Sequence, residues 1–343
     1  MSRSIPLMIL MALTPAAPGQ VKKILNDFPF GVECVAFSPD GKTLATATLP
    51  SKAGKDALRL WDVATGKELC QLRTDKFGCS ALAFSPDGKT LASNGGLNST
   101  IDLWDLATRK VRRSIKSGPG TGAHLAVSPD SRLLAGVGYG QRGAIWDMQT
   151  GKELAVLGPK GEVKPNPPAT PYFTCVVFSP DGKTLATSGY PNTVVLWDVP
   201  SGKRRADLAS HKGTVHNVCF APDGRTLYSL GEDQLLVYWD VATGKERTSV
   251  DLRPQFRNLT RYAALSPDGT TLAILGQGHL RLFDLKAKAF RPDVDWDYQR
   301  GRQKCMAFSP DGKLIATGGG GIMGPYTVYL WEVPPPPKKQ SSN

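Results

Sequence analysis

A serine, a histidine and an aspartate with the residue types of a hydrolytic triad lie close together near the middle of the chain. They are His211, Ser229 and Asp233. In such a triad the serine attacks a carbonyl, the histidine takes its proton, and the aspartate orients the histidine. Residue type alone does not decide between this chemistry and a structural role. The choice depends on the elements that carry the three side chains.

Cysteines are a second group with reactive chemistry. Cys34, Cys175 and Cys305 each lie four residues before a Ser-Pro-Asp-Gly tetrapeptide. No pair shows the CxxC or HxxxH spacing of a zinc site, and the four histidines do not cluster. We therefore expect buried thiols that act as small apolar side chains, with no metal and no cofactor. A Cys/His metal site and a Cys34–Cys305 disulfide are the alternatives.

A run of four glycines, residues 318–321, invites comparison with a phosphate-binding loop. Such a loop needs a following helix and a Lys-Ser/Thr pair. Here residues 322–325 (Ile-Met-Gly-Pro) lead into a strand-like run instead. The glycines therefore indicate a hairpin loop.

The stretch that carries the His/Ser/Asp trio is also the fullest copy of a repeat. Within residues 211–245, three β-rich runs, 215–220, 226–230 and 235–239, are separated by turns rich in Gly, Pro and Asp. This spacing is typical of a meander of antiparallel strands. The same frame recurs along the chain, so the repeat sets the architecture.

Seven turns and seven closing pairs alternate, and consecutive closing pairs are 42 to 51 residues apart. The Ser-Pro-Asp-Gly-type turns begin at Ser38, Ser85, Ser128, Ser179, Ala221, Ser266 and Ser309. The closing pairs are Trp61-Asp62, Trp104-Asp105, Trp146-Asp147, Trp197-Asp198, Trp239-Asp240, Phe283-Asp284 and Trp331-Glu332.

With these motifs the sequence resembles the WD-repeat (WD40) family, in particular bacterial WD40 repeat proteins. The resemblance implies an all-β fold, a seven-bladed β-propeller of four-stranded antiparallel blades spanning residues 20–333. A content of 36 Gly and 27 Pro suits so many turns. Two of the turns and one closing pair depart from the pattern: Ala221 replaces Ser in repeat 5, Ser131 replaces Gly in repeat 3, and Phe283 replaces the closing Trp in repeat 6.

The two ends of the repeat region predict how the ring closes. Residues 334–337 are all proline, which cannot donate to a strand ladder, so no fourth strand follows the last closing pair. Residues 21–27 match the fourth-strand runs of the other repeats. We therefore expect the amino-terminal run to complete the last blade.

The resemblance also implies a role for the trio. In the family, a His, a Ser/Thr, an Asp and the closing Trp form a buried hydrogen-bonded tetrad, and here only His211, Ser229, Asp233 and Trp239 match it fully. The trio is then structural, since each buried polar group needs a partner. We expect the other blades to depend on packing alone.

Alternation along the first strand of each repeat predicts how blades pack together. One face carries small residues such as Ala36, and the other carries large ones such as Phe37. We expect the small face of each blade to receive the large face of its neighbour.

The loops that join second to third strands and one blade to the next vary, while the opposite rim repeats. The resemblance implies that this variable rim binds partners and that the chain is a non-catalytic protein-interaction scaffold. The alternatives are a propeller enzyme of the sugar-lactone hydrolase or lyase type, binding of an anionic polymer, and a merely solvated basic surface. Candidate partner-binding residues, rich in Arg and aromatic side chains, are Arg253, Phe256, Arg257, Arg261, Trp296, Tyr298, Arg300 and Arg302.

A formal net charge of +12 suits an acidic partner protein or peptide, but many lysines lie beside turn aspartates. No nucleic-acid-binding motif is present, so nucleic acid is not the expected partner. A monomer without a membrane span in its mature part is expected.

The two termini lie outside the repeats. Residues 1–19 combine Arg3, an apolar run and small residues, the pattern of a signal peptide cleaved near residues 16–19. This predicts export to the periplasm or the extracellular space. A disordered tail on a cytoplasmic protein is the alternative. Residues 334–343 are predicted to be a disordered proline-rich tail.

Overall fold

The computed structural model describes a β-sheet protein in which strands follow one another with short connections. The described residues are 21–26, 28, 30–48, 58–72, 78–94, 100–118, 121–138, 142–158, 172–254, 262–276, 279–297, 303–320 and 326–335. Within them the chain forms twenty-eight strands and no helix. No helix in this part is therefore long and apolar enough to cross a membrane. The predicted signal segment, residues 1–19, lies outside the described residues.

The strands form seven antiparallel sheets of four strands each, which are the blades. Strand β1 (Val21–Leu25) comes first in the chain and belongs to blade 7. Blade 1 consists of β2 (Val32–Phe37), β3 (Thr43–Thr48), β4 (Leu58–Asp62) and β5 (Glu68–Leu72). Blade 2 consists of β6 (Leu82–Phe84), β7 (Thr90–Asn94), β8 (Thr100–Asp105) and β9 (Lys110–Lys116). Blade 3 consists of β10 (His124–Val127), β11 (Leu133–Val137), β12 (Gly143–Asp147) and β13 (Glu153–Leu157).

The remaining blades follow the same order from the first strand at the centre to the fourth strand outside. Blade 4 consists of β14 (Tyr172–Phe178), β15 (Thr184–Tyr190), β16 (Thr193–Asp198) and β17 (Lys203–Leu208), and blade 5 of β18 (Val215–Phe220), β19 (Thr226–Gly231), β20 (Leu235–Asp240) and β21 (Glu246–Asp251). Blade 6 consists of β22 (Ala263–Leu265), β23 (Thr271–Gly276), β24 (His279–Asp284) and β25 (Ala289–Asp297). Blade 7 consists of β26 (Gln303–Phe308), β27 (Leu314–Gly319) and β28 (Thr327–Glu332), with β1 as its outer strand.

The amino-terminal strand closes the ring, as predicted. β1 pairs antiparallel with β28, with Leu25 opposite Val328 and Val21 opposite Trp331. Leu25 is buried in the core between blades 7 and 1. No strand follows β28 in the described residues. Instead, the carbonyls of Pro334 and Pro335 accept hydrogen bonds from Arg291 Nη2 at 3.1 and 2.9 Å. The first two residues of the predicted tail are thus held against blade 6.

The hydrophobic core is divided into seven clusters, one at each blade interface. Between blades 1 and 2, the small residues Cys34 and Ala36 pack against Leu82 and Phe84 of the next blade. Five of the other six clusters repeat this arrangement of a small face against a large one. Between blades 6 and 7, Tyr262 next to the first strand of blade 6 packs with Met306 and Phe308 instead. The interfaces with the small-against-large arrangement confirm the interdigitation predicted from alternation along the first strands.

The Ser-Pro-Asp-Gly turns satisfy their own polar groups. In blade 1, Ser38 Oγ donates to Asp40 Oδ1 at 2.6 Å, and the same carboxylate oxygen accepts the Lys42 amide at 3.0 Å. Gly41 has a φ of 70°, the left-handed conformation that glycine adopts without steric cost. The turn is therefore a self-contained unit that positions the strands on either side.

Blade 3 has a serine, Ser131, at the left-handed position, with a φ of 62°. Its hydroxyl accepts a hydrogen bond from the Asp87 amide of blade 2 at 3.1 Å. This contact between blades offsets part of the conformational cost of a non-glycine residue at positive φ. The serine that replaces glycine in this turn therefore connects the turns of blades 2 and 3.

Both sets of tight turns lie on one side of the disc. The residue after each closing pair donates its amide to the carbonyl of the residue after the Ser-Pro-Asp-Gly turn, as in Val63 to Lys42 at 2.9 Å and Val333 to Lys313 at 2.8 Å. We call this side the turn rim. The opposite side, which carries the connections between second and third strands and between blades, is the loop rim.

Candidate functional site in blade 5 and on the loop rim

Local sequence places the four tetrad residues on separate elements of blade 5. His211 precedes β18, Ser229 lies in the middle of β19, Asp233 lies in the turn between β19 and β20, and Trp239 is near the end of β20. Ser229 pairs with Val237, two residues before Trp239. Because side chains alternate along a strand, Val237 and Trp239 share a face, and the indole leans back towards the serine.

The structure brings these four side chains into one hydrogen-bonded chain. Trp239 Nε1 donates to Ser229 Oγ at 2.7 Å, and Ser229 Oγ lies 2.7 Å from His211 Nε2. His211 Nδ1 lies 3.0 and 3.1 Å from the two carboxylate oxygens of Asp233. The carboxylate also accepts the Lys212 amide at 2.7 Å.

The chain has a consistent direction of donation. The indole can only donate, so Ser229 Oγ accepts from Trp239 and its own proton is available for His211 Nε2. His211 Nδ1–H then donates to the Asp233 carboxylate. Burial acts to raise the pKa of Asp233, but hydrogen bonds from His211 and the Lys212 amide outweigh it and leave this pKa below its ordinary value. Asp233 is therefore the anionic end of the chain.

This geometry leaves Ser229 without the access that a nucleophile needs. The residue is 1 % exposed, and its oxygen already bonds to both Trp239 and His211. His211 is likewise buried. No substrate carbonyl can reach the hydroxyl, so the trio does not form a hydrolytic site.

One glycine makes room for the tetrad. A Cβ atom at Gly231 would lie 2.6 Å from His211 Nδ1 and 2.7 Å from Asp233 Oδ1. Both contacts are shorter than van der Waals distances, so any side chain here would push the imidazole away from the carboxylate.

The other blades do not depend on packing alone, and that expectation was wrong. The closing indole donates to a hydroxyl on the second strand in four more blades, at 2.9 to 3.0 Å. These pairs are Trp61 with Thr46, Trp104 with Ser93, Trp197 with Thr187, and Trp331 with Thr317. A buried indole N–H needs an acceptor even where the His and Asp are missing.

The signal for these bonds was present in the sequence. The hydroxyl residue always lies eight positions after the first residue of the turn, and it is replaced only at Gly136 and Ile274. Ile274 belongs to blade 6, whose closing residue is Phe283, and phenylalanine has no N–H to satisfy. Gly136 lies directly against Trp146, so a Cβ atom at this position would be only 3.0 Å from the indole ring.

Blade 1 fills the histidine position with an aromatic ring. Phe28, ten residues before the turn as His211 is, packs on Trp61 with ring centroids 5.2 Å apart. The Arg59 guanidinium lies 5.7 Å from the centre of the Phe28 ring, within the range of a cation–π contact. Blade 1 thus covers its closing Trp with an apolar and cationic layer.

The predicted partner-binding residues are only partly within the described residues. Arg253 follows β21 and is exposed, with its guanidinium bonded to the Asp251 carboxylate at 2.6 to 3.0 Å. This pair compensates the charge of Arg253 and orients its side chain. Phe256, Arg257, Arg261, Tyr298, Arg300 and Arg302 lie outside the described residues.

Trp296 is part of a strand, although the sequence placed it in a loop between blades. It lies in β25, which extends to Asp297, and it pairs with Leu280 of β24. Alternating apolar and acidic residues in its second half let this fourth strand run longer than the others. Trp296 and Arg253 thus belong to the ends of the outer strands of two neighbouring blades.

First strands of neighbouring blades contact one another around a central channel. Glu33 and Lys304 form an ion pair of 2.7 Å there, and His216 Nε2 lies 2.9 Å from Glu232. Within the described residues, no three His, Cys, Asp or Glu side chains are grouped to hold a metal ion.

The cysteines of the first strands are free thiols, so the alternative of a Cys34–Cys305 disulfide was wrong. Burial raises the pKa of Cys34 to about 11, and it raises the pKa of Cys305 as well. A thiol that does not ionise near neutral pH is a poor nucleophile and metal ligand.

A closed ring of seven four-stranded blades, in each of which the third strand ends in an aromatic–acidic pair, defines a β-propeller, and blade 5 carries a structural tetrad. Models of the WD domain, G-beta repeat (WD40) match residues 19–62, 66–105, 168–198, 202–240 and 300–332, together more than half of the chain. The chain therefore belongs to the WD40 repeat family, and blades 3 and 6, with Gly136 and Phe283, fall outside those matches.

Two known proteins show the extent of the similarity. The periodic tryptophan protein 2 homolog of Dictyostelium discoideum is 23 % identical over 159 residues, which are 46 % of this chain and only 12 % of that protein. The crystal structure of the Cps50 (Swd1) β-propeller domain of Myceliophteria thermophila superposes with a TM-score of 0.75. That match covers 92 % of this chain and the whole of that domain at 17 % identity, so it shows the fold alone.

Proposed function

We propose that this propeller is a non-catalytic scaffold that binds a partner protein or peptide through its loop rim. The observation that carries the proposal is the difference between the two rims. The turn rim repeats one design, in which the Ser and Asp side chains and turn amides bond to one another. The loop rim carries connections that differ from blade to blade in length and composition. Variable loops on a rigid repeat are where specificity resides.

Two further features support a scaffold. In the trio with the residue types of a hydrolase, His211 and Ser229 are buried, and all three side chains are hydrogen-bonded within blade 5. The loop-rim ends of the outer strands of blades 5 and 6 also carry Arg253 and Trp296, followed in sequence by further arginines and aromatics. Arginine and aromatic side chains supply much of the energy of protein interfaces. Arg257 and Arg261, which follow Arg253 in the sequence, suit an acidic partner by their charge.

The test is capture of partners from the native host by the full chain and by a loop-rim variant. We expect Arg257→Ala with Trp296→Ala to abolish recovery of specific partners while the melting temperature stays unchanged. Lys89→Ala with Lys183→Ala, on the turn rim, is the matched control and should retain the partners. Equal recovery by both variants would contradict binding at the loop rim, and turnover of a sugar lactone by the purified chain would contradict a non-catalytic role.

A further inference from the structure

The outer strand of blade 2 is unlike the other outer strands in its charge. β9 has the sequence KVRRSIK, and six of its seven residues are exposed. It carries Lys110, Arg112, Arg113 and Lys116 and no acidic residue. Within the described part of the chain, none of these four cations forms an ion pair, whereas both arginines of the outer strand of blade 4 and both lysines of the outer strand of blade 7 are engaged.

The comparison with those two blades is direct. In β17, Arg204 is paired with Asp207 at 2.6 Å, and Arg205 donates to the Val241 carbonyl at 2.9 Å. In β1, Lys22 pairs with Glu332, and Lys23 donates to the Ala64 carbonyl. The aspartates near β9, such as Asp105, are already held by hydrogen bonds within their own turns. Arg112 acts electrostatically on Asp87 and Asp105, and Arg113 acts on Asp147, but neither arginine forms a hydrogen bond or ion pair with them among the described residues. The strand therefore keeps an excess of positive charge that is available to an outside group.

Both faces of β9 present cations. Arg113 lies opposite Leu103, which packs towards blade 3, whereas Lys116 lies opposite Thr100 on the other face. Val111 lies opposite Trp104, whose ring packs in the core towards blade 1, and is 42 % exposed. A strand added at the edge of β9 would therefore lie beside Arg113 on one face of the sheet, and beside Lys116 and the apolar Val111 on the other face.

A cleft begins at the turn-rim end of this strand. It has a volume of about 590 Å³ and lies between β5 and the turns of blade 2. Leu69, Phe84 and Leu106 form its apolar part, and Arg109, the residue before β9, lies at its edge. Asp40 and Asp87 also line it, and both carboxylates accept hydrogen bonds within their own turns. Leu69 is itself 44 % exposed. The cleft can take an apolar side chain next to a basic strand.

We propose that the outer edge of β9 accepts an extended acidic segment of a partner protein, which adds a fifth strand to blade 2 and places an apolar side chain in the cleft. An edge strand offers unpaired backbone N–H and C=O groups to such a segment. Lysine on an edge also prevents pairing with a second copy, and four cations make that repulsion stronger. The same charges attract a strand of opposite sign, so the occupant is acidic.

The experiment measures binding of a defined probe to the full chain by fluorescence anisotropy. The probe is a labelled eight-residue peptide of alternating Glu and Val. We expect it to bind, and we expect Arg112→Glu with Lys116→Glu to weaken it by about tenfold or more, because two favourable cross-strand charge pairs become repulsive. Lys152→Glu with Lys245→Glu changes the net charge equally at exposed turn positions and should alter binding less than about twofold.

Two further peptides distinguish strand pairing from simple charge attraction. Both carry N-methyl groups on alternate backbone nitrogens: the odd-numbered residues are methylated in one peptide and the even-numbered residues in the other. In an added strand only every second N–H points towards β9, so the peptide in which those N–H groups are methylated should not bind. Equal binding of both methylated peptides, equal loss in the two charge variants, or no binding of the parent peptide would overturn the proposal. So would a short DNA duplex that competes with the peptide and loses affinity in the same variants, since that would define a general polyanion surface. None of these measurements involves the loop rim, so their failure leaves the scaffold function standing.

Discussion

The tetrad of blade 5 shows how one buried hydroxyl can serve two partners. Ser229 Oγ accepts from Trp239 and bonds to His211, whereas Ser93 in blade 2 accepts only the Trp104 indole among the described residues. The sequence predicted the first arrangement through its four matching residue types. The sequence also contains the information for the second arrangement, because a Ser or Thr recurs at the same distance from the turn, but we expected those blades to be stabilised by packing alone. Outside blade 5 the Ser or Thr has no matching His and Asp, so the motif by itself did not indicate a hydrogen bond to the indole.

This difference between two serines can be measured. We expect Ser229→Ala to lower the free energy of unfolding by about 1 to 3 kcal/mol, because both the indole and the imidazole lose a buried partner. Ser93→Ala leaves one donor unsatisfied and should cost less, about 1 kcal/mol. Chemical denaturation of the two variants, followed by fluorescence, measures both values. A larger loss for Ser93→Ala would mean that the tetrad adds no stability to blade 5.

At the scale of elements, the positions of most strands follow from the sequence, because turn chemistry and alternation repeat seven times. The pairing of β1 with β28 also followed, since the four prolines after β28 exclude a fourth strand there. The end of β25 was not predicted from the sequence. Apolar and acidic residues continue to alternate through Trp296, and no turn residue ends the strand before it. The link from Ser131 to Asp87 was also missed, since it joins turns of different blades.

Closure by β1 depends on one buried side chain. We expect Leu25→Ala to destabilise the protein by about 2 to 5 kcal/mol, because Leu25 is 3 % exposed in the core between blades 7 and 1. Ile24→Ala, on the same strand but 48 % exposed, is the control and should change stability by less than about 0.5 kcal/mol. Thermal unfolding compares the two. Equal effects would indicate that β1 is not packed as the fourth strand of blade 7.

At the scale of the whole molecule, the turn rim is a ring of carboxylates held by local donors. Hydrogen bonds from the neighbouring serine hydroxyl lower the pKa of Asp40, Asp130, Asp181 and Asp311. Bonds from Arg247 and then Thr243 lower the pKa of Asp240 to about 2. All these groups therefore favour the fold when ionised, and each contribution is lost as the pH falls through the lowered pKa of its carboxyl group.

Acidification should therefore weaken the ring through its turns. Because the pKa of Asp240 is lower in the fold than in the unfolded chain, its carboxylate stabilises the fold above about pH 4. That contribution disappears as the pH falls towards about 2. We expect Asp240→Asn to be less stable than the parent at pH 7 and equally stable near pH 2, as measured by urea unfolding at each pH. A difference that stays constant over this range would contradict a role for the ionised carboxylate.

The scaffold function is tested most directly by photo-crosslinking from chosen positions on the two rims in the native host. A photoreactive amino acid replaces Arg253 on the loop rim in one variant and Lys89 on the turn rim in another. We predict discrete covalent adducts with a partner protein from position 253, their loss when Trp296→Ala is added, and none from position 89. Adducts that form from position 89 and not from position 253 would contradict binding at the loop rim.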